Sequence, residues 1–207
     1  MFDRTEGFPL FPLGIVALPT ESVPLHVFED RYKRMIEECL REDREFGIVW
    51  LSEDELKTVG CACAIERVLE RDEEGNMDIL ARGTSPFRLL ERQDDYPYPA
   101  GIVEPLSDPE EESDPDAAQT ARELYAELVE QATDKRLSEE ELTGLDAYAM
   151  AGTVEFGPEG KQDLLELRSE NARMRLLAGL FRAAIKRLEL VDRAQARARS
   201  NGKVRFS

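Results

Sequence analysis

The sequence predicts an α+β protein, because its first half shows the alternation typical of β-strands and its second half the spacing typical of α-helices. Residues 10–103 contain short apolar runs separated by turn residues, with one helical segment among them. Residues 104–116 carry seven acidic residues and three prolines, a composition typical of a solvated linker or a long loop. We therefore predict a β subdomain over 8–105 and an all-helical subdomain over 115–200.

The first part of the β subdomain predicts two strands and the start of a helix. Apolar residues around Ile15 indicate the first strand, and Pro19 and Pro24 bracket a turn before a second, shorter strand. A helix can begin near Glu29. Its apolar residues recur at spacings of three and four, which is one helical face. They are Tyr32, Met35, Ile36 and Cys39.

The rest of the β subdomain alternates strands with turns. An apolar run at 46–51 predicts a buried strand, and a polar loop follows at 52–58. Alternating residues predict a strand from Val59 to Leu69, and the turn sequence DEEGN sends the chain back. The remaining strands are predicted at 77–81, 83–90 and 98–103.

Helix signals dominate beyond residue 114. Asp114 followed by Pro115 is a favourable helix start, and Ser138 with Glu141 forms a capping box for a helix that continues to about Met150. Gly157–Pro158 starts the next helix. The last helix runs from about 170 to 199 with apolar residues at heptad spacing.

Three segments resemble the Lon N-terminal domain family. The first matches a Phe-Pro-Leu strand and a Pro-Leu-His-hydrophobic-Phe-Glu-x-Arg-Tyr run, here Phe11, Pro12, Leu13, Pro24, Leu25, His26, Val27, Phe28, Glu29, Arg31 and Tyr32. The second matches the family's Gly, Arg-Gly and Phe-Arg-Leu positions, here Gly60, Ala64, Ile65, Gly75, Leu80, Arg82, Gly83, Phe87, Arg88 and Leu89. The third is Lys161, Gln162, Leu164, Leu165 and Glu166.

The resemblance implies a bent β-barrel of the PUA-like type with one inserted helix, followed by a helical subdomain that ends in a long helix. It also implies a stand-alone, non-catalytic module that binds unfolded or degron-like polypeptide segments or other proteins, as an adaptor or a chaperone-like binder in proteolysis. Candidate rim residues for such a groove between barrel and helices are Leu25, His26, Phe28, Tyr32, Trp50 and Phe87.

Charge is distributed very unevenly along the chain. The formal net charge is −17, yet residues 168–207 hold eleven basic and three acidic residues, which leaves −25 for the remainder. A polyanionic body repels phosphate, so nucleic acid is not the expected ligand of the whole surface. The alternative function is RNA binding by the basic helix from Arg168 to Arg199.

The sequence shows no pattern for catalysis, cofactor binding or metal binding. The segment from Gly157 to Gln162, GPEGKQ, lacks the spacing and the hydroxyl residue of a phosphate-binding loop, and no segment accommodates a Ser-Lys protease. Cys61 and Cys63 have no further paired ligands for zinc, and His26 has no nucleophile beside it. We therefore expect no enzyme and no cofactor.

The cellular location is predicted from what the chain lacks. The first residues are acidic where a signal peptide is basic, and no apolar run approaches the roughly 18 residues of a membrane span. Three cysteines are too few for a disulfide framework. The sequence therefore predicts a cytoplasmic protein without membrane contact.

Overall fold

The computed structural model describes residues 3–53 and 55–201, with the side chains of the last helix described to residue 191 and at 193 and 194. Strands come first and helices follow, with one helix inserted between strands, so the predicted α+β class is confirmed. The strands are β1 Thr5–Leu13, β2 Ser22–Val27, β3 Phe46–Ser52, β4 Glu55–Arg71, β5 Met77–Gln93 and β6 Ala100–Pro105. The helices are α1 Asp30–Glu42, α2 Pro115–Thr133, α3 Glu139–Thr143, α4 Ala147–Ala151, α5 Gly157–Glu166 and α6 Glu170–Asn201.

Five strands close into a ring, which is the predicted barrel. β1 pairs in parallel with β3 and antiparallel with β6, and β5 pairs with both β4 and β6. β2 lies outside the ring and pairs with the first half of β5. The two halves of β5 therefore have different neighbours, and the change occurs between Arg82 and Phe87.

Two strand predictions differ from the structure. The segment predicted as a loop at 52–58 is mostly strand, because Leu51 pairs with Leu56 and Ser52 with Glu55 in a tight hairpin. The first strand begins at Thr5 and ends at Leu13, so Ile15 lies outside it and is 42% exposed. In the hairpin, pairing with a partner strand outweighs the polarity of the segment, whereas the apolar Ile15 has no strand partner among the described residues.

The barrel interior is packed around Phe87, which is fully buried. Its ring lies edge-on to that of Phe8, with centroids 5.5 Å apart. Gly47 and Gly60 face this ring, and a Cβ atom at either glycine would lie 2.5 or 2.7 Å from it. The ring therefore occupies the space that two side chains would otherwise need.

Helix α1 covers the barrel with the apolar face that the spacing predicts. Tyr32, Met35, Ile36 and Cys39 are all buried. The ring of Tyr32 stacks on that of Phe11 in β1, with centroids 4.2 Å apart. At the other end of the helix, the hydroxyl of Tyr98 donates to the Glu38 carboxylate over 2.6 Å.

Burial of Cys39 predicts a loss of stability at alkaline pH. Burial raises the pKa of the Cys39 thiol to about 11, so the folded protein keeps this proton at pH values where the unfolded chain releases it. Burial also raises the pKa values of Tyr32 and Tyr98. We therefore expect the free energy of unfolding to fall as the pH rises from about 9 to about 11, with Cys39 contributing about 2–3 kcal/mol.

Urea unfolding at several pH values in this window measures the slope. The Cys39→Ala variant is expected to be less stable at neutral pH but to lose less stability on the way to pH 11, because its unfolded state has one fewer group to ionise. Equal slopes for the two proteins would show that the thiol proton does not contribute.

The chain divides into two compact units. The first contains the residues up to Glu110 together with Tyr148–Ser169, and the second contains Glu111–Ala147 and the residues from Glu170 onward. Helix α5 and residues 148–151 of α4 thus group with the barrel, although the prediction placed them in the helical subdomain. The predicted boundaries, 8–105 and 115–200, stay a prediction.

Within the first unit, α5 is attached to the barrel by polar contacts. The Gln162 side-chain amide donates to the backbone carbonyl of Val59 in β4 over 3.2 Å. Lys161 and Glu21 form an ion pair of 2.5 Å whose side chains are only 10% and 13% exposed. α5 begins at Gly157 with Pro158 in its first turn, which confirms the predicted helix start in this segment.

In the second unit, α2 packs on α6. The ring centroids of Tyr125 and Phe181 lie 5.6 Å apart. The Asp114 side chain accepts a hydrogen bond from the Ala117 amide, as the capping prediction requires. The capping box of Ser138 and Glu141 is also present. It opens only a five-residue helix, so the predicted continuous helix to Met150 is wrong.

Candidate functional site

An apolar pocket of about 610 Å³ opens on the first unit. It lies where the ends of β1, β2 and β5 approach the start of α1 and the hairpin between β3 and β4. Apolar and aromatic side chains contribute most of the lining: Phe11, Leu13, Phe28, Tyr32, Leu51 and Leu56. A pocket of this size and composition is typical of a ligand-binding site.

Three of the six predicted rim residues line this pocket. His26, Phe28 and Tyr32 follow one another at the end of β2 and the start of α1, which is why a single sequence segment brings them together. Tyr32 forms part of the floor and is 6% exposed, whereas Phe28 is 59% exposed.

The other three predicted rim residues lie elsewhere. Phe87 is fully buried in the barrel core. Leu25 points to the buried side of β2. Trp50 is 8% exposed, with the Lys57 ammonium 5.9 Å from its ring centroid. Peptide binding by the six predicted residues stays a prediction. Of the six, His26, Phe28 and Tyr32 are the ones that line the pocket.

Phe28 is held in its exposed position by His26. The two rings stack with centroids 5.7 Å apart. His26 in turn forms a hydrogen-bonded pair with Asp78 on β5, with 2.6 Å between Nδ1 and the carboxylate oxygen. The pair therefore positions an apolar ring at the mouth of the pocket.

Arg31 at the pocket wall is engaged by its neighbours. Its guanidinium lies 2.8 Å from the Glu29 carboxylate and 4.6 Å from the centroid of the Tyr32 ring. Burial raises the pKa of Tyr32, and the positive charge of Arg31 opposes that rise. Tyr32 therefore stays neutral near pH 7 and contributes an aromatic surface.

Several pocket residues are absent from the sequence prediction. Leu51 and Leu56 approach the pocket through the hairpin in the segment predicted as a loop. Arg92 and Asp94 reach it from the end of β5. Leu51 is 40% exposed, but the sequence does not indicate this exposure, because it lies in an apolar run that predicts burial.

In the basic helix α6, which is the predicted RNA-binding element of the alternative function, several arginines form ion pairs with acidic residues. Arg173 pairs with Glu170, Arg175 with Asp114, and Arg193 with Glu189. Arg197, Arg199, Lys203 and Arg205 lie outside the residues whose side chains are described. Binding of RNA by this helix stays a prediction.

Among residues 3–53 and 55–201, no three His, Cys, Asp or Glu side chains come together as a metal ligand set. In the same part of the chain, no helix combines the length and the apolar character that crossing a bilayer demands.

Comparison with known proteins gives a consistent result. Residues 7–182 match the family model described as the ATP-dependent protease La (LON) substrate-binding domain. A Lon protease from Anaeromyxobacter dehalogenans is 26% identical over 197 residues, and Lon protease 2 from Myxococcus xanthus is 25% identical over 197 residues. Each alignment covers 86% of this chain but only 23% or 24% of the relative. The chain thus spans about a quarter of the length of these curated relatives.

Solved structures show the same fold. A Lon N-terminal domain protein from Xanthomonas campestris superposes with a TM-score of 0.65 at 24% identity, covering 84% of this chain and 98% of that one. The N-terminal domain of a Mycobacterium avium complex Lon protease gives a TM-score of 0.63 at 22% identity, with 85% and 98% covered.

Proposed function

The chain belongs to the Lon substrate-binding domain family, and from this premise we propose that its barrel unit binds polypeptide segments in the apolar pocket. The family model covers 176 of the 207 residues, including every element that lines the pocket. The family's description names substrate binding as the role of the domain in an ATP-dependent protease, and the substrates of a protease are polypeptides. The residues that bind them in this chain are our inference.

The observation that carries the proposal is the exposed phenylalanine at the mouth of the pocket. Phe28 is 59% exposed and Leu51 is 40% exposed, and both line the same cavity above the rings of Phe11 and Tyr32. Exposed apolar surface costs roughly 25 cal/mol per Å² in hydration free energy. A partner that covers these side chains recovers this free energy, which supports an apolar ligand.

We propose recognition rather than catalysis for these 207 residues. The segment most similar to a phosphate-binding loop is the start of α5, where Lys161 is paired with Glu21 and Gln162 with Val59. Neither side chain is available to a nucleotide in this arrangement. A module that captures exposed apolar segments can act as an adaptor or a chaperone-like binder in proteolysis.

Removing the Phe28 ring tests the proposal. The probe is a fluorescein-labelled peptide with the sequence Gly-Ser-Gly-Leu-Ala-Tyr-Gly-Ser-Gly, and the readout is fluorescence anisotropy. We expect Phe28→Ala to weaken binding about tenfold, because an aromatic ring at the mouth of a pocket contributes more than 1 kcal/mol. Since Phe28 is largely exposed, the variant is expected to fold normally.

Leu69→Ala is the matched control. Leu69 is 53% exposed and lies on β4, and it does not line the pocket. Its replacement is expected to leave the dissociation constant unchanged. No saturable binding of the peptide to the unmodified protein at about 1 mM would overturn the proposal. Tight, strongly salt-dependent binding of a labelled uridine oligonucleotide in a parallel titration would favour the RNA alternative instead.

A further inference from the structure

A second depression adjoins the apolar pocket on the same unit. Its volume is about 270 Å³, and Tyr96, Pro97 and Tyr98 form one side of it. Tyr96 is 40% exposed, and its ring centroid lies 6.3 Å from that of Tyr98. The two cavities share lining residues, including Arg92 and Asp94 at the end of β5. Because the two cavities adjoin along these residues, we refer to them together as the groove.

The other two shared polar residues already bind within the protein. Arg31 is paired with Glu29 and lies over the Tyr32 ring. The Gln93 side-chain carbonyl accepts a hydrogen bond from the Gly7 amide over 2.8 Å. The Arg31 guanidinium and the Gln93 side-chain oxygen are therefore already bound within the protein itself.

Arg92 and Asp94 are different. Both are exposed, and among the residues that the structure describes neither side chain forms an ion pair or a hydrogen bond. The two residues are separated by one position at the end of a strand, and both side chains reach the same two cavities. The border of the groove therefore offers one strong donor and one strong acceptor, with no net charge from this pair.

A peptide main chain is the ligand whose chemistry matches this pair. Each peptide group presents one acceptor, the carbonyl, and one donor, the amide N–H, and carries no net charge. A purely anionic ligand would satisfy Arg92 but would be repelled by Asp94 and by the acidic body of the protein. A purely cationic ligand would bind Asp94 but would be repelled by Arg92.

We propose that the groove binds an extended polypeptide by its main chain, with Arg92 donating to a carbonyl and Asp94 accepting from an amide N–H. One apolar side chain enters the larger pocket beside Phe28, and a second packs on Tyr96 in the smaller depression. In an extended strand, side chains two positions apart lie about 7 Å apart on one face, which suits two adjoining cavities. This inference rests on the proposed function and specifies how that site selects its substrates.

The consequence is tolerance of sequence. Every residue except proline offers the same main-chain hydrogen-bonding groups, and the two cavities require only that two of the side chains are bulky and apolar. A module of this kind would bind many unfolded segments and would reject folded proteins, whose amide groups are already paired.

A double-mutant cycle that combines protein variants with N-methylated peptides tests the hydrogen bond between Asp94 and the peptide main chain. The same labelled nonapeptide is prepared in three forms, each N-methylated at one of the central residues Leu, Ala or Tyr. We expect one form to bind the unmodified protein about tenfold more weakly than the parent peptide, because its N–H no longer reaches Asp94. In Asp94→Ala the parent peptide binds about tenfold more weakly, and that N-methyl group causes little additional loss.

Matched controls separate this contact from general effects of charge. Asp95→Ala removes a neighbouring exposed carboxylate that lines neither cavity, and Arg67→Ala removes an exposed arginine on β4. Both variants are expected to bind all peptides like the unmodified protein. Arg92→Ala is expected to weaken the parent peptide severalfold with little change in salt dependence, because the lost contact is to a neutral carbonyl.

The outcomes distinguish this inference from the proposed function. Equal N-methyl losses in the unmodified protein and in Asp94→Ala would overturn the main-chain contact. If Phe28→Ala still weakened binding in that case, peptide capture in the larger pocket would stand. A marked preference for acidic over neutral peptides, abolished by Arg92→Ala, would also overturn the inference, since it would assign the groove to a charged side chain.

Discussion

Replacing Gly83 by alanine is expected to destabilise the fold more than any other single-methyl change in the barrel. A Cβ atom at Gly83 would lie 2.0 Å from the carbonyl oxygen of Leu18, a backbone atom that cannot rotate away. The Gly83 amide donates to the Glu21 carbonyl over 2.9 Å, and its own carbonyl accepts from the Thr20 amide over 2.8 Å. The loop before β2 is therefore held directly against β5.

An added methyl group must push this loop away and break both hydrogen bonds. We expect a loss of at least about 3 kcal/mol in the free energy of unfolding, since overpacking against backbone costs more than overpacking against a side chain. Chemical denaturation followed by circular dichroism measures it. A shift of the midpoint that corresponds to less than about 1 kcal/mol would show that the loop can move freely.

Gly179→Ala is expected to stabilise the protein, which is the opposite of the effect expected for Gly83→Ala. Gly179 lies exposed in α6, and among the described residues no heavy atom from outside its own helix would lie within 4 Å of a Cβ atom at this position. Alanine there is expected to stabilise the protein by about 0.5–1 kcal/mol through helix propensity. The same chemical change thus has opposite expected signs at the two glycines, because Gly179 lies in a helix with free space around its Cβ position and Gly83 lies in a strand packed against the backbone of Leu18.

Local patterns in the sequence were sufficient for the elements that depend on near neighbours. The four apolar residues of α1 are all buried, as their spacing predicts. Asp114 caps α2, and Pro158 lies in the first turn of α5. In each case the signal that predicts the element lies within four residues along the chain, where periodicity and capping rules apply.

The candidate site was only partly predictable, because similar residues meet different long-range neighbours. Phe28 and Phe87 both occupy family-like motifs, yet one is 59% exposed and the other is fully buried. The difference arises from strand pairing: Phe87 lies opposite Gly60 across the ladder between β4 and β5, which opens space for its ring. No pattern around either phenylalanine encodes that partner.

Arg92 and Asp94 illustrate the same limit for polar residues. In the sequence they belong to a charged stretch, which predicts only solvent exposure. Their shared position on two cavities depends on where β5 ends relative to β1 and α1. A function carried by exposed groups at the border of a pocket is therefore a property of the assembled barrel.

Replacing Lys161 by methionine is expected to cause the second large loss of stability. From the sequence alone, this charged side chain would be placed in solvent. Lys161 is 8% exposed in α5. Its ammonium lies 2.5 Å from one carboxylate oxygen of Glu21, and the other oxygen accepts from the Leu18 amide over 3.0 Å. Glu21 thus connects α5 to the same loop that Gly83 holds against β5.

Methionine preserves the volume of the lysine side chain but leaves Glu21 as a buried carboxylate with one hydrogen bond. Breaking a buried ion pair in this way typically costs about 3–5 kcal/mol, because the remaining charge is desolvated without compensation. We expect a loss near 3 kcal/mol, since both side chains retain a little exposure. Lys135→Met is the control, because its pair with Glu141 is 63% and 50% exposed and should contribute no more than about 0.5 kcal/mol.

The double variant Lys161→Met with Glu21→Gln separates the ion pair from the packing of α5. A neutral amide at position 21 keeps an oxygen for the Leu18 amide but has no buried charge, so the double variant is expected to be more stable than Lys161→Met alone. If the two single losses simply added in the double variant, the charge pair would be unimportant, and α5 would be held by apolar contacts and by Gln162. Recovery of about half of the loss would identify Lys161 and Glu21 as the electrostatic link between α5 and the barrel.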